Sequence, residues 1–262
     1  MNNNPIGVLD SGVGGLSVLR ELRAQLPDES LYYYGDGLNC PYGPKPAGEV
    51  IGYVDEGVRL LVGQNAKMVV VACNSGTAAA IGYLRAKYPF PIVGMEPAVK
   101  PAVLATRTGV VGVLATANTL RGELFRATSA KYADRAKILM VEGKGFVELV
   151  EADRENTPEA LETVRRVVEP LIEAGADRIV LGCTHYPFLR GAIEKVIGGR
   201  AGIGRAVEIV DPTPAVVHRV RSLLEEHDMA AETGHKPEYK FFTAAKEGEY
   251  LKMLRRKSGF FG

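Results

Sequence analysis

Two short runs with the same design constrain this chain more than anything else in it. Val69-Val70-Val71-Ala72-Cys73-Asn74-Ser75 and Ile179-Val180-Leu181-Gly182-Cys183-Thr184-His185 each carry an apolar, β-branched stretch that ends in a cysteine. Such stretches read as buried strands, and the residues after each cysteine can continue as helix. A second pair repeats the offset. Ile6-Gly7-Val8-Leu9-Asp10-Ser11 resembles Val111-Gly112-Val113-Leu114-Ala115-Thr116 about 105 positions later, and Cys183 lies 110 positions after Cys73. Two strand-tip motifs at similar offsets predict a duplicated βα unit. The halves are chemically unequal, because Asp10 pairs with Ala115, and Asn74-Ser75 with Thr184-His185.

Strands are expected at 6–9, 31–34, 68–72, 91–94, 110–114, 137–141, 178–182, 207–210 and 239–242, with amphipathic helices between several of them. Residues 48–64 place Val50, Ile51, Val54, Val58, Leu61 and Val62 on one stripe. Residues 158–173 do the same with Leu161, Val164, Val168, Leu171 and Ile172. Short strands alternating with helices predict an α/β fold of parallel sheets covered on both faces. Proline-marked joints at Glu96-Pro97 through Lys100-Pro101 and at Asp211-Pro212-Thr213-Pro214 bracket a middle section. The expected partition is a first α/β domain of 1–97 with 211–262, and a second of 98–210. Two similar domains related by pseudo-symmetry predict an active site in the cleft between them.

Composition excludes several classes. A net charge of +1 offers no general attraction to nucleic acid or an anionic membrane. No apolar run reaches the ~20 residues of a membrane span. Met1-Asn2-Asn3-Asn4-Pro5 has neither the basic patch nor the apolar core of a signal peptide, so a cytoplasmic address is expected. Three cysteines in 262 residues do not form a disulfide framework.

Three segments carry chemistry. In Asp10-Ser11-Gly12-Val13-Gly14-Gly15, glycines let backbone N–H groups approach an anion, with Asp10 beside them to receive an ammonium or guide a proton. The spacing is not that of a dinucleotide fingerprint; a plain strand–helix turn with Asp10 as helix cap is the alternative. The loop Asp36-Gly37-Leu38-Asn39-Cys40-Pro41-Tyr42-Gly43-Pro44 holds Tyr42 in a turn, from which it can close over a small ligand. Composition alone fits a surface turn equally well. In Cys183-Thr184-His185-Tyr186-Pro187, His185 stands two residues from the thiol. His218, His227 and His235 lie in charge-rich stretches and read as surface residues, and Cys40 as incidental. Cys183 and His185 have no second ligand pair at zinc spacing, so no metal is expected. Two thiols from two similar halves suit a reaction needing one base on each face of a carbon, and racemisation leads that short list.

At these residues the chain resembles the cofactor-independent aspartate/glutamate racemase family, glutamate racemases in particular. The resemblance runs through residues 7–15, Pro41-Tyr42-Gly43, residues 72–75 and residues 182–187, and spans about residues 6 to 225. It implies two acid–base catalysts, Cys73 and Cys183, assisted by Asp10 and His185. It implies substrate contacts from Asp10, Ser11, Tyr42, Gly43, Asn74, Ser75, Thr184 and His185, no cofactor, a homodimer, and D-glutamate supplied for peptidoglycan. Cys73 is expected to serve D-glutamate and Cys183 L-glutamate. The chain departs from the family in having Asn39 for the usual arginine, Ser75 for threonine and Gly76 for alanine. An aspartate racemase, a non-catalytic amino-acid sensor and a thiol-redox protein are the competing classes. The last would need the sulfurs to reach each other, with Cα atoms within ~7 Å.

Overall fold

The computed structural model describes residues 1–199, 206–245 and 248–260. Within them a strand forms on every run that the alternation marked. These are β1 (Ile6–Asp10), β2 (Leu31–Gly35), β3 (Met68–Val71), β4 (Ile92–Gly94), β5 (Val110–Ala115), β6 (Lys137–Glu142), β7 (Arg178–Gly182), β8 (Glu208–Val210) and β9 (Tyr239–Thr243). All their pairings are parallel. The chain divides into two compact units, Met1–Met95 with Thr213–Gly262, and Glu96–Pro212.

The first unit holds a sheet in the order β4-β3-β1-β2-β9. The second holds β6-β5-β7-β8, the order of the first four strands read from the other side, with β5 in the place of β1, β7 in that of β3, and no counterpart of β9 among the described residues. The repeat seen in sequence is thus a repeat of topology. In each sheet the chain moves to one flank of its first strand, then returns to the other. Winding reverses between β1 and β3, and again between β5 and β7. Ligands of open α/β sheets bind beyond the carboxyl ends of strands at such a reversal.

Helices cover the sheets: α1 (Leu16–Gln25), α2 (Ala47–Gly63), α3 (Asn74–Lys87), α4 (Val99–Ala105), α5 (Ala117–Arg121) and α6 (Glu123–Lys131). They continue with α7 (Phe146–Glu151), α8 (Pro158–Glu173), α9 (Arg190–Gly198), α10 (Thr213–Glu226) and α11 (Glu249–Ser258). The α2 stripe buries Val50, Val54, Val58 and Leu61, each worth about 1.5–3 kcal/mol. Ile51 is half-buried, and Val62 is 37% exposed, one position off the stripe. Gly57 lets this helix lie close to the sheet, since a Cβ there would stand 2.3 Å from Leu9 Cδ1 and 2.8 Å from Tyr34 Cδ1. In α8, Val164, Val168, Leu171 and Ile172 are buried and Leu161 is half-buried. Thr157 caps that helix by accepting from Ala160 N at 3.2 Å.

Two buried ionic contacts stitch the units internally. In the first unit Lys67 Nζ lies 2.6 Å from Glu29 Oε2 and donates to Asn2 O, while Glu29 Oε1 accepts from Ala231 N. Burial pushes the Lys67 ammonium below its ordinary pKa, against the opposing pull of Glu29. Breaking such a pair leaves an uncompensated charge. Lys67→Met should therefore cost about 3–5 kcal/mol in urea unfolding, and adding Glu29→Leu should recover most of that loss.

In the second unit Asp177 accepts from Thr106 Oγ1 and, at 2.7 Å, from Arg107 N, with Arg178 Nη1 at 3.9 Å. Burial raises this carboxyl, but those hydrogen bonds and the Arg178 charge outweigh it and hold the pKa below 3.8. A depressed acid stabilises the fold above its unfolded pKa, and the contribution disappears as pH falls through the folded value. Urea midpoints of Asp177→Asn should consequently fall less steeply than those of the wild type between about pH 4 and pH 2.

Candidate active site

In the first unit the site residues gather at the tips of β1 and β3. Asp10 ends β1 fully buried, and its Oδ1 accepts from Gly12 N at 2.8 Å. It does not cap α1, whose N-cap is Gly15 with no side-chain cap bond. Tyr33 Oη donates to Gly12 O at 2.7 Å, which fixes the glycine loop from below. A Cβ at Gly15 would meet Asp10 Cβ at 2.6 Å and Ala72 Cβ at 3.2 Å. Glycine is needed there because the loop folds directly onto the strand tips.

Cys73 follows β3 and is the N-cap of α3, its sulfur accepting from Gly76 N at 3.3 Å. Ser11 Oγ lies 3.6 Å from the same sulfur. A sulfur at a helix N-terminus receives amide N–H groups and the positive end of the helix dipole, both of which favour a thiolate. Asn74 and Ser75 form the first turn and are buried. Asn74 Nδ2 donates to Met95 O at 3.3 Å, while its Oδ1 is buried without a hydrogen-bond partner among the described residues. A Cβ at Gly76 would stand 3.2 Å from Cys73 Cβ and from Val54 Cγ2, a tight fit that glycine relieves.

Tyr42 is not a mobile cover. It is 1% exposed, stacks on Tyr53 with ring centroids 5.8 Å apart, and donates to Asp36 Oδ2 at 2.6 Å. Burial first, then the Asp36 charge, push its phenol well above the usual tyrosine pKa. Its hydroxyl is committed to the fold; Gly43 beside it is buried too. Asn39 Nδ2 reaches Asp36 Oδ1 and Oδ2 at 3.1 and 3.0 Å, so a neutral side chain anchors this loop. Cys40 is half-buried.

In the second unit Cys183 follows β7, at the position that Cys73 holds after β3. The backbone beyond it differs from the expected helix. Tyr186–Leu189 form a 3-10 turn, and α9 begins only at Arg190. His185 takes the place of helix amides as the sulfur's neighbour, its Nδ1 3.8 Å from Cys183 Sγ. His185 Nε2 lies 2.6 Å from Glu151 Oε1 at the end of α7. With Nε2–H donating to the carboxylate, Nδ1 is left as the acceptor facing the thiol, a Glu–His–Cys relay. Thr184 and His185 are both buried. Tyr186 packs edge-on against Phe146 with centroids 5.0 Å apart, and burial, then the charge on Cys183, raise its phenol pKa.

Sequence pattern gave no sign of Asp36 or Glu151. Asp36 marked only the start of a turn, and Glu151 lies 34 positions before His185 on a short helix, with no local pattern to single it out. Of the other histidines, His218 and His227 are exposed, while His235 is half-buried with Nε2 3.3 Å from Ser30 Oγ.

Residues 6–220 match the family described as Asp/Glu/Hydantoin racemase. The chain belongs to that family. It is 44% identical over 229 residues to the glutamate racemase of Herpetosiphon aurantiacus, covering 87% of this chain and 88% of that protein. It is 43% identical over 255 residues to that of Pseudomonas putida, covering 95% and 92%. Among solved structures, glutamate racemase isoform RacE1 of Bacillus anthracis aligns with TM-score 0.87 and 31% identity, over 99% of this chain and 96% of that one. The Escherichia coli glutamate racemase in complex with L-glutamate and the activator UDP-MurNAc-ala aligns with TM-score 0.83 and 32% identity, over 97% and 95%.

If the Glu–His–Cys relay operates, Glu151→Gln should slow alkylation of Cys183 by iodoacetamide about tenfold at neutral pH, the effect expected for losing one charge-assisted hydrogen bond. Cys73 serves as the internal control, and peptide mass spectrometry reads both. Equal slowing of the two thiols, or of neither, would contradict it.

Proposed function

We propose that this enzyme is a glutamate racemase that works without a cofactor, with Cys73 and Cys183 as acid–base catalysts on opposite faces of the substrate α-carbon. The observation that carries this reading is the equivalence of the two thiols, each at the carboxyl end of the same strand in a duplicated sheet. Glutamate is favoured over other amino acids by the naming of relatives that match most of the chain. In the L-to-D direction the Cys183 thiolate removes the α-proton, and the Cys73 thiol delivers its own to the other face. The reverse direction exchanges the roles. The C–H electron pair rests meanwhile on the substrate carboxylate as an enolate-like carbanion.

The α-proton is far less acidic than a thiol, so the site must stabilise that charge and keep one sulfur ionised. Cys73 has an amide and a hydroxyl for this purpose; Cys183 has His185 backed by Glu151. Backbone N–H groups of the 10–15 loop, with Ser11, Ser75 and Thr184, bind the substrate carboxylates, and Asp10 takes the ammonium together with Asn74 Oδ1, whose Nδ2 is held by Met95 O. Tyr42 and Gly43 contribute the backbone of their loop. The product feeds peptidoglycan assembly, and the enzyme acts in the cytoplasm as a homodimer. Among the described residues no helix is long and apolar enough to cross a membrane.

In D₂O, without added cofactor, either enantiomer of glutamate should gain α-deuterium while the two interconvert with an equilibrium constant of unity. Absence of exchange from both enantiomers would sink the enzyme reading, and exchange from aspartate alone would move it to a different substrate. Cys73→Ser and Cys183→Ser should both abolish racemisation, since every turnover uses both groups. Each should retain one-sided elimination from an analogue with a leaving group, Cys73→Ser from the L form and Cys183→Ser from the D form. Loss of both directions in one variant would mark that cysteine as structural.

A further inference from the structure

Between α6 and the first half of β6 the second unit carries a groove of about 310 Å3 that the racemase reading leaves unused. Arg126, Ser129 and Ala130 line it from the helix side, and Lys137, Ile138 and Met140 from the strand. It lies at the far end of the sheet from the proposed catalytic thiol. Lys137 pairs with Val110 at the start of β5, whereas Cys183 follows the carboxyl tip of β7.

Two independent features mark this groove as a ligand site. Ser129 is 5% exposed, and its Oγ has no hydrogen-bond partner among the described residues. Buried hydroxyls without partners are uncommon in native folds, and one lining a cavity points to a group that arrives from outside. Secondly, the rim is cationic. Arg126 and Lys137 are exposed and make no ion pair among the described residues. Arg126 and Ser129 stand three apart on α6 and so share a face. The floor is apolar: Ile138 is half-buried, and Met140 is 49% exposed on a strand at the sheet edge.

We infer that the groove is a second binding site, for a small amphipathic carboxylate. The apolar body rests on Ile138 and Met140, and the carboxylate sits between Arg126 and Lys137 with the Ser129 hydroxyl donating to it. The volume is at the small end of the range of about 300–1,000 Å3 that ligand sites occupy, which suits a short acyl chain or single ring.

The test uses the full chain labelled with [methyl-13C]methionine, in which Met140→Leu identifies the Met140 signal among the six methionines. Octanoate should shift that signal saturably and leave the others in place. Octanol, with the same chain and no charge, should bind about tenfold more weakly, as should octanoate to Arg126→Glu or Lys137→Glu. Ser129→Ala should weaken octanoate by a smaller factor. The inference fails if octanoate leaves the Met140 signal unmoved, or if octanol binds wild-type protein as tightly as octanoate does. The octanol comparison needs no variant, so it stands even where a substitution disturbs folding.

Discussion

The reversal of winding beside the first strand of each sheet is the constraint on which the proposed chemistry depends. Two adjacent parallel strands whose chains leave in opposite directions open a crevice at their carboxyl ends. The amide groups there have no further strand to pair with. In the first unit β1 and β3 are those strands; their shared register ends at Leu9 and Val71, and Asp10, Ser11, Cys73 and Asn74 all follow within three residues of it. The loop after β1 must then turn within a few ångströms of β3. Gly15 against Asp10 and Ala72, and Tyr33 holding Gly12 O, record how little room remains. The position of the proposed catalytic residues follows from sheet topology, and the side chains refine it.

The same backbone carries two different ways of managing a thiol. Cys73 caps a full α-helix and receives an N–H, so its environment is set by fixed dipoles that need no proton of their own. The segment after Cys183 winds as a 3-10 turn, which places His185 beside the sulfur and Glu151 behind the imidazole. Fixed dipoles stabilise an ion; an imidazole on a carboxylate also accepts and returns a proton. A duplicated fold has therefore kept a thiol in equivalent places while changing its electrostatic support. That asymmetry is what a pair of bases needs if one is to be ionised while the other is neutral.

Whatever rests on local pattern was legible in the sequence. Apolar runs, β-branched in β3, β5 and β7 and aromatic in β2 and β9, located the strands of the described residues and both strand-tip thiols. The α2 stripe was legible through its period, with Val62 misplaced because a run of apolar residues hides which one faces outward. What stayed hidden involves contacts between segments far apart in the chain. Glu151 reaches His185 across 34 positions, and Asp36 takes the Tyr42 hydroxyl only because the loop folds back on itself. Tyr42 looked like a lid because Pro41 and Gly43 signal a turn, but turn residues say nothing of the direction in which the ring points. The 3-10 turn after Cys183 was equally hidden, since a segment that can form an α-helix can also wind more tightly for one turn.

Burial at these tips has a cost that bears on substrate binding. Asn74 Oδ1 is enclosed without a partner among the described residues, an arrangement that costs roughly 1–3 kcal/mol. Its Nδ2 is tied to Met95 O, so the amide cannot rotate to relieve the carbonyl oxygen without losing that bond. A ligand that brings an N–H donor removes the penalty as it binds, whereas one bearing only carboxylates does not. Under the proposed function the first unit thus discriminates by the position of a donor beside the glycine loop. An α-amino acid carries that pair of groups on one carbon, the carbon whose proton the neighbouring sulfur is proposed to take.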